Sequence, residues 1–167
     1  MQLRAKQLPE ARLLALYRKA QALGRRYGAP VLLNGSPAQA RMVAADGIHL
    51  TASRLLTLDN RSLNRDRWVA ASCHNLEEVR HAGRLGVDFI VVSPVRTTAS
   101  HPQVPALGWE GLRALTEAAT LPVYALGGMT PADLEQAWTC GAQGIAAIRS
   151  LWTPVAPEAV ANGRVAP

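Results

Sequence analysis

Gly127 and Gly128 are the residues of this sequence whose type and position first indicate a chemistry. They follow the apolar run VYAL and precede Thr130 and Pro131, a pair typical of a helix start. Glycine lets backbone N–H groups approach an anion closely, and a helix that begins just beyond adds a partial positive charge. The stretch therefore predicts a turn that binds phosphate, with an ordinary strand-ending turn as the alternative.

A second apolar run, GIAAI, ends beside Arg149. In a parallel α/β barrel, the loops after the last two strands often form one phosphate site together. We therefore expect the loop after VYAL and the loop after GIAAI to form the two halves of a single site, which we call the phosphate cup (residues 127–128 and 148–149).

Helical signals divide the chain into repeated units that would position these loops. In residues 75–86, Asn75 can cap a helix, Glu78 lies three residues further on, and Gly86 can end the helix. The other predicted helices span residues 10–27, 109–119 and 130–140, the last with Thr130 as its N-cap and Pro131 at its first position.

Short apolar runs without polar alternation lie between these helices, and such runs are typical of parallel strands buried on both faces. We predict seven strands, at residues 1–6, 30–33, 46–50, 68–73, 88–92, 122–126 and 144–148. A weak internal repeat (AADGIHL, GVDFIVV and GAQGIAA) supports the pattern. The pattern predicts an α/β fold, either a (β/α) barrel or a doubly wound sheet. The longest predicted loop, residues 93–108, is a candidate functional loop.

The composition of the 167-residue chain fits one domain with a substantial core, since 49% of its residues are apolar. No apolar run is long enough to cross a membrane, and the N-terminus lacks a signal-peptide pattern. Cys73 and Cys140 have no metal-binding spacing, which favours reduced thiols in a cytoplasmic protein.

The net charge of +6 is unevenly distributed along the sequence. Residues 1–67 contain twelve Lys and Arg against four Asp and Glu, whereas residues 68–167 contain six against eight. A basic half favours an anionic partner, which is a nucleic acid, a phosphorylated metabolite or an acidic protein surface. The chain has one Phe and no platform that combines aromatic and basic residues, so nucleic acid is the disfavoured partner.

Taken in order, several stretches resemble the thiamine phosphate synthase/TenI family across residues 1–152. They are QLRAK, VLLNG, ADGIHL, AASCHN, VVSPVRTTASHP, LGWEGL, PVYALGGMTP and GAQGIAAI. The resemblance implies a TIM-type (β/α)8 barrel. It also implies either a synthase that joins a pyrimidine diphosphate to a thiazole phosphate with Mg²⁺, or a TenI-like thiazole tautomerase that needs no metal. SPVRTTASHP followed by LGWEGL is most similar to the version fused behind a Nudix hydrolase domain.

The resemblance carries the family's QxRxK motif onto Gln2, Arg4 and Lys6. Alternation along a strand puts these three side chains on one face, toward the barrel interior, where Arg and Lys suit a phosphate or diphosphate. The family's Asn-Asp pair falls on Asn34 and Gly35, and a second family Asp falls on Arg54. Because those two Asp residues hold Mg²⁺ in synthases, we expect no metal site, and Arg54 is a candidate to meet an anion in the metal's place.

The remaining site residues implied by the resemblance come from the second half of the barrel. Ser72 corresponds to a family Ser that reaches a pyrimidine or phosphate group. The loop residues Thr98, Ser100 and His101 replace a Thr-x-Thr-Lys pattern, and His101 is a candidate acid or base. The TenI-like tautomerase His falls on Pro94. The phosphate-binding positions are Gly127, Gly128, Ile148 and Arg149.

The matched sequence begins at the second β/α unit of the family, so we expect a barrel that lacks the first unit and leaves strand edges unpaired. The missing part belongs to a longer protein, or a strand is borrowed in a homodimer, or the barrel closes with fewer strands. We expect residues 153–167 to be a loosely packed tail, with a short helix near residues 156–161 as the alternative.

The leading interpretation is a barrel that binds a small phosphorylated metabolite, namely a phosphorylated thiazole, pyrimidine or related anion. It needs no cofactor, and Mg²⁺ enters only if the synthase interpretation holds. The alternatives are an active thiamine phosphate synthase, a non-catalytic or regulatory module of a Nudix-type hydrolase, and nucleic-acid binding through the basic half.

Overall fold

The computed structural model describes residues 1–98 and 103–151, in which seven parallel strands alternate with helices. The strands are β1 (Gln2–Leu3), β2 (Leu32–Leu33), β3 (Gly47–Leu50), β4 (Trp68–Cys73), β5 (Phe89–Val92), β6 (Val123–Leu126) and β7 (Gly144–Ala146). The helices are α1 (Glu10–Arg26), α2 (Pro37–Met42), α3 (Ala52–Leu56), α4 (Leu76–Leu85), α5 (Gly108–Ala118) and α6 (Leu134–Thr139), with a 3₁₀ turn at Pro131–Asp133. The predicted tail lies outside the described residues.

The strands pair in the order in which they occur in the chain, β1-β2-β3-β4-β5-β6-β7, and every pair is parallel. A doubly wound sheet reverses its strand order at a switch point, so this order excludes that alternative and confirms the barrel type. Within the described residues β1 and β7 do not pair with each other, and the sheet is a curled half-barrel. The prediction of an α/β barrel with seven strands is confirmed.

The convex face of the sheet forms the core with the helices. Leu33, Ile48, Val69 and Ile90 alternate with residues of the concave face and are fully buried in one cluster with α1 and α3–α6. On the concave face the rings of Trp68, Phe89 and Tyr124 pack edge to face in sequence, with centroids 6.4 and 5.5 Å apart. Leu32, Ala70 and Val91 of the concave face are buried as well, which explains much of the continuous apolar pattern of the strands, whereas Trp68 is exposed.

The internal repeat has a structural cause at the amino edge of the sheet. Asp46 Oδ2 accepts a hydrogen bond from Val31 N–H of the preceding unit, and Asp88 Oδ2 accepts one from Val69 N–H. In the third copy Gln143 takes the equivalent place and its own N–H donates to Val123 O. In two repeats an Asp just before the strand therefore joins it to the preceding strand through its side chain, and in the third Gln143 does so through its backbone N–H.

The helix predicted from its capping residues at 75–86 is confirmed as α4. Asn75 Oδ1 accepts from Glu78 N–H, and Gly86 ends the helix in the left-handed region at φ 64°. The helix predicted at residues 130–140 is divided, since the Thr130 and Asp133 capping box starts a 3₁₀ turn before α6. The helices α2 and α3 were not predicted because six and five residues are too short to display periodicity.

Three strands are at least two residues shorter than predicted, and one of them, predicted at residues 144–148, covers Gly144–Ala146. Pairing in the strand predicted at residues 1–6 covers Gln2–Leu3, and that at 30–33 covers Leu32–Leu33.

Both cysteines are free and buried, and burial raises the pKa of Cys73 to about 12, with a smaller contribution from Glu78. No helix of the described residues is long and apolar enough to cross a membrane.

A largely buried ion pair helps to hold the long connection between α3 and β4. Arg61 Nη2 lies 2.7 Å from Asp88 Oδ2, and the same guanidinium also donates to the carbonyl groups of Gly86 and Arg67. The Arg61 side chain is 11% exposed, so its charge is largely removed from water. Removing the carboxylate partner of a charge buried in this way lowers the stability of the fold.

We predict that Asp88→Ala lowers the free energy of unfolding by about 2–4 kcal/mol, because it leaves the Arg61 charge and the Val69 N–H without their acceptor. The matched control is Asp66→Ala, whose carboxylate is 69% exposed beside Arg67. That change should cost less than about 0.5 kcal/mol. Urea denaturation of both variants checks this, and equal midpoints would contradict the assigned role of Asp88.

Candidate functional site

Hydrogen bonds join the carboxyl ends of neighbouring strands in an almost continuous series. Asn34 Nδ2 donates to His49 O at 3.3 Å, which joins β2 to β3, and His49 Nε2 is hydrogen bonded to Ser72 Oγ at 2.9 Å, which joins β3 to β4. His74 Nδ1–H donates to Ser93 O at 2.6 Å and so joins β4 to β5. The active sites of parallel barrels lie at this edge.

The first half of this edge holds a cluster that we call the His49 cluster, made of Arg4, Asn34, His49 and Ser72. His49 and Ser72 share the concave face, because His49 pairs with Ala70 in register and Ser72 lies two residues beyond. His49 is 5% exposed, whereas Arg4 is exposed. The cluster therefore combines a hydrogen-bonded pair, the buried His49 and the half-buried Ser72, with a long cationic side chain at its rim.

Burial lowers the pKa of His49 to about 4, and the positive charge of Arg4 contributes a further, smaller lowering. His49 is consequently neutral near pH 7, and its ring can orient the Ser72 hydroxyl without adding charge. His49 was not predicted from the sequence. Its only signal is one polar residue inside the apolar run GIHL, which is more often a satisfied core residue.

The second half of the edge is the glycine turn that follows β6. Gly127 has φ 104° and Gly128 φ 67°, both in the region that favours glycine. A Cβ on Gly127 would lie 2.8 Å from Pro94 Cα, and one on Gly128 would lie 3.0 Å from Arg96 Cβ. The pair is therefore required by the close approach of the loop after β5.

Two backbone hydrogen bonds join the glycine turn and the end of β6 to the loop after β5. Val95 N–H donates to Leu126 O, and Arg96 N–H donates to Gly127 O. Both bonds use carbonyl groups, and Gly128 N–H has no acceptor among the described residues. An unpaired amide at a glycine turn suits an anion.

A hydrogen bond between the residues that directly follow the two predicted halves of the phosphate cup brings the halves together. Ser150 Oγ donates to Met129 O at 2.6 Å, so the loop after β7 is joined to the glycine turn. Ile148 is 71% exposed and Arg149 is also exposed beside this contact. Ser150 was not predicted, and nothing in its sequence context distinguishes it from an ordinary turn serine.

The other predicted site residues are less closely gathered. Gln2 and Lys6 are exposed, Gln2 at the start of β1 and Lys6 in the turn that follows, and neither is hydrogen bonded to the His49 cluster within the described residues. Thr98 ends the described part of the loop after β5. Ser100 and His101 lie outside the described residues, so the predicted acid or base role of His101 stays a prediction.

Comparison with known proteins identifies the family. The profile described as thiamine monophosphate synthase matches residues 1–151. The chain belongs to the thiamine monophosphate synthase family. It is 36% identical over 163 residues to the thiamine-phosphate synthase of Thermus thermophilus, covering 97% of this chain and 79% of that one.

Two further relatives agree with this assignment. The thiamine-phosphate synthase of Geobacillus kaustophilus is 34% identical over 149 residues, which cover 88% of this chain and 67% of the relative. The solved structure of thiamine phosphate pyrophosphorylase from Pyrococcus furiosus superimposes with a TM-score of 0.72 at 26% identity, covering 88% of this chain and 70% of that one. Both the sequence and the fold of this chain are thus those of the thiamine monophosphate synthase family.

Neither of the two positions at which carboxylates are expected to bind Mg²⁺ in synthases of the family carries a carboxylate. Mg²⁺ binds through carboxylates and substrate phosphates. At the two expected carboxylate positions Gly35 has no side chain and Arg54 carries a positive charge. Across residues 1–98 and 103–151, no group of three or more His, Cys, Asp or Glu side chains could hold a metal ion.

The carboxylates near this edge already have protein partners. Glu78 accepts from His74 N–H, Asp133 accepts from Thr130 N–H, and Glu10 accepts from Gln39 Nε2. These three carboxylates serve the first turns of helices and do not converge on one point. The charged groups left for a ligand at this edge are therefore cationic.

We predict that His49 makes the native state less stable in acid. An unfolded His binds its proton near pH 6.5, whereas folded His49 binds it only near pH 4, so the unfolded state holds more protons between these values. Stability therefore falls as the pH falls through this window, by a total on the order of 3 kcal/mol. Urea denaturation at about pH 7 and about pH 4 should show this loss reduced in His49→Gln. The same loss in both proteins would contradict it.

Proposed function

We propose that this chain binds a phosphorylated thiazole, a phosphorylated pyrimidine or a related phosphate ligand of thiamine metabolism, and that it does so without Mg²⁺. The observation that carries the proposal is the composition of the carboxyl edge. It combines Arg4 beside the neutral His49 and Ser72 pair with an unpaired amide at Gly128. Phosphate needs donors and positive charge, and both are present.

The two halves of the edge suit the two ends of such a ligand. The phosphate cup offers the Gly128 N–H group and the exposed Arg149 to a phosphate group. The His49 cluster offers Ser72 and Asn34 as neutral polar groups for a heterocycle, with Arg4 at its rim. Membership of the thiamine monophosphate synthase family supports this division, since the similar enzymes from Thermus and Geobacillus are thiamine-phosphate synthases.

Arg54 takes part in the proposal as the replacement for a metal ligand. It lies in α3, directly after β3, and its N–H is capped by Thr51 Oγ1 at 3.3 Å. A fixed positive charge at this position attracts the same phosphate oxygens that a Mg²⁺ ion would bind. An association with a Nudix hydrolase domain, a homodimer and a cytoplasmic location stay predictions from the sequence.

We predict that thiamine phosphate or thiazole phosphate raises the melting temperature of the protein equally with EDTA and with Mg²⁺. At a hundred times its dissociation constant a ligand adds about 2.7 kcal/mol to the free energy of unfolding. For a chain of this size that corresponds to about 5–10 °C. Thermal-shift titrations with both ligands, pyrophosphate and phosphate check this. A shift that requires Mg²⁺ would favour the active synthase, and no shift with any ligand would overturn the proposal.

Arg4→Gln should weaken binding of thiamine phosphate about tenfold, because a charge-assisted hydrogen bond to phosphate contributes about 1.5–3 kcal/mol. The matched control is Arg18→Gln, which removes the same charge from the exposed face of α1. Isothermal titration calorimetry of both variants measures the difference. Equal weakening in the two variants would reduce the role of Arg4 to a contribution to net charge.

A further inference from the structure

Arg96 connects three elements around the phosphate cup. Its Nη2 lies 2.8 Å from Asp133 Oδ1, and its guanidinium carbon lies 5.4 Å from the ring centroid of Trp109 at the start of α5. Its backbone N–H donates to Gly127 O at 3.0 Å. One residue of the loop after β5 therefore contacts the glycine turn, the 3₁₀ turn beyond it and α5.

Asp133 is the buried end of this arrangement. Its side chain is 7% exposed, whereas that of Arg96 is 49% exposed. Asp133 Oδ2 accepts from both the N–H and the hydroxyl of Thr130, each at 2.9 Å, while Oδ1 faces Arg96. A carboxylate so placed, a few residues beyond Gly128, would repel an anion in the phosphate cup if no cation opposed it.

The packing of the glycine turn depends on the same residue. A Cβ on Gly128 would lie 3.0 Å from both Arg96 Cβ and Thr97 O, so the loop and the turn are in direct contact. The cation over the Trp109 ring further restricts where the Arg96 side chain can lie. The contact between the loop and the turn fixes the position of the turn, and the ion pair opposes the charge of Asp133 beside it.

We propose that Arg96 is a positioning residue of the phosphate cup, which holds the loop after β5 against the Gly127–Gly128 turn and screens the cup from the charge of Asp133. The proposal rests on the proposed phosphate binding at this turn. It names a residue that acts through the turn and through Asp133, and it requires no contact between Arg96 and the ligand.

The test is the dissociation constant of inorganic phosphate, measured by calorimetry for the wild type and four variants. Arg96→Met should weaken binding about tenfold, because it loosens the loop and exposes the cup to Asp133. Arg96→Lys keeps the charge and should stay within about threefold of the wild type. The double variant Arg96→Met/Asp133→Asn removes both charges, so it should recover the part of the lost affinity that is due to the charge of Asp133 and bind more tightly than Arg96→Met.

The control is Arg80→Met, which removes one exposed charge from α4 and should leave the affinity unchanged. The ¹⁹F NMR spectrum of protein labelled with 5-fluorotryptophan gives a second readout. The resonance that is missing from the spectrum of Trp109→Phe is assigned to Trp109. That resonance should move on phosphate binding in the wild type and should already be displaced in Arg96→Met. Melting temperatures identify any variant that fails to fold, and the double variant avoids a buried unpaired carboxylate.

Three outcomes overturn the inference. If the wild type binds phosphate and Arg96→Met binds it as tightly, Arg96 has no positioning role, although the proposed function stands. If the double variant is as weak as or weaker than Arg96→Met, screening of Asp133 is wrong. If the wild type binds neither phosphate nor thiamine phosphate, both this inference and the proposed function fail.

Discussion

Parallel pairing of consecutive strands is the constraint on which the rest of this structure depends. Because every strand runs in the same direction and neighbours its successor in the sequence, all carboxyl ends lie at one edge. Polar residues that are far apart in the chain meet there, as His49 and Ser72 do across 23 residues. The helices on the convex face fix the register by burying alternate side chains, and the site on the concave edge follows from that register.

Acidic and basic residues have different roles in this architecture. The buried carboxylates of Glu78 and Asp133 serve backbone N–H groups at helix starts, and those of Asp46 and Asp88 serve strand N–H groups at the opposite edge. Their charge is thus committed to the fold. The arginines at the carboxyl edge are more exposed, which leaves positive charge and amide donors for a ligand. This division suits the anion site without a metal that we propose.

Much of the fold was predictable because its signals are local. Asn75 and Gly86 mark the ends of α4 within one short stretch, and apolar runs mark the strands. The glycine pair was likewise visible, although the reason for it, contact with Pro94 and Arg96, required the fold. His49 and Arg96 were missed as site residues because their partners are distant in sequence. A polar residue in an apolar run or a loop shows its role only when Ser72 or Asp133 is seen beside it.

The Asp residues just before the repeated strands have a consequence for the evolution of such a chain. Asp46 and Asp88 bind the backbone of the preceding strand, so the contact does not depend on which side chain that strand carries. A β/α unit that keeps its Asp can therefore be duplicated or exchanged by recombination and still attach to a new neighbour. The opposite edge, where Ser72, Asn34 and Arg4 differ from unit to unit, is then free to diverge without disturbing the attachment.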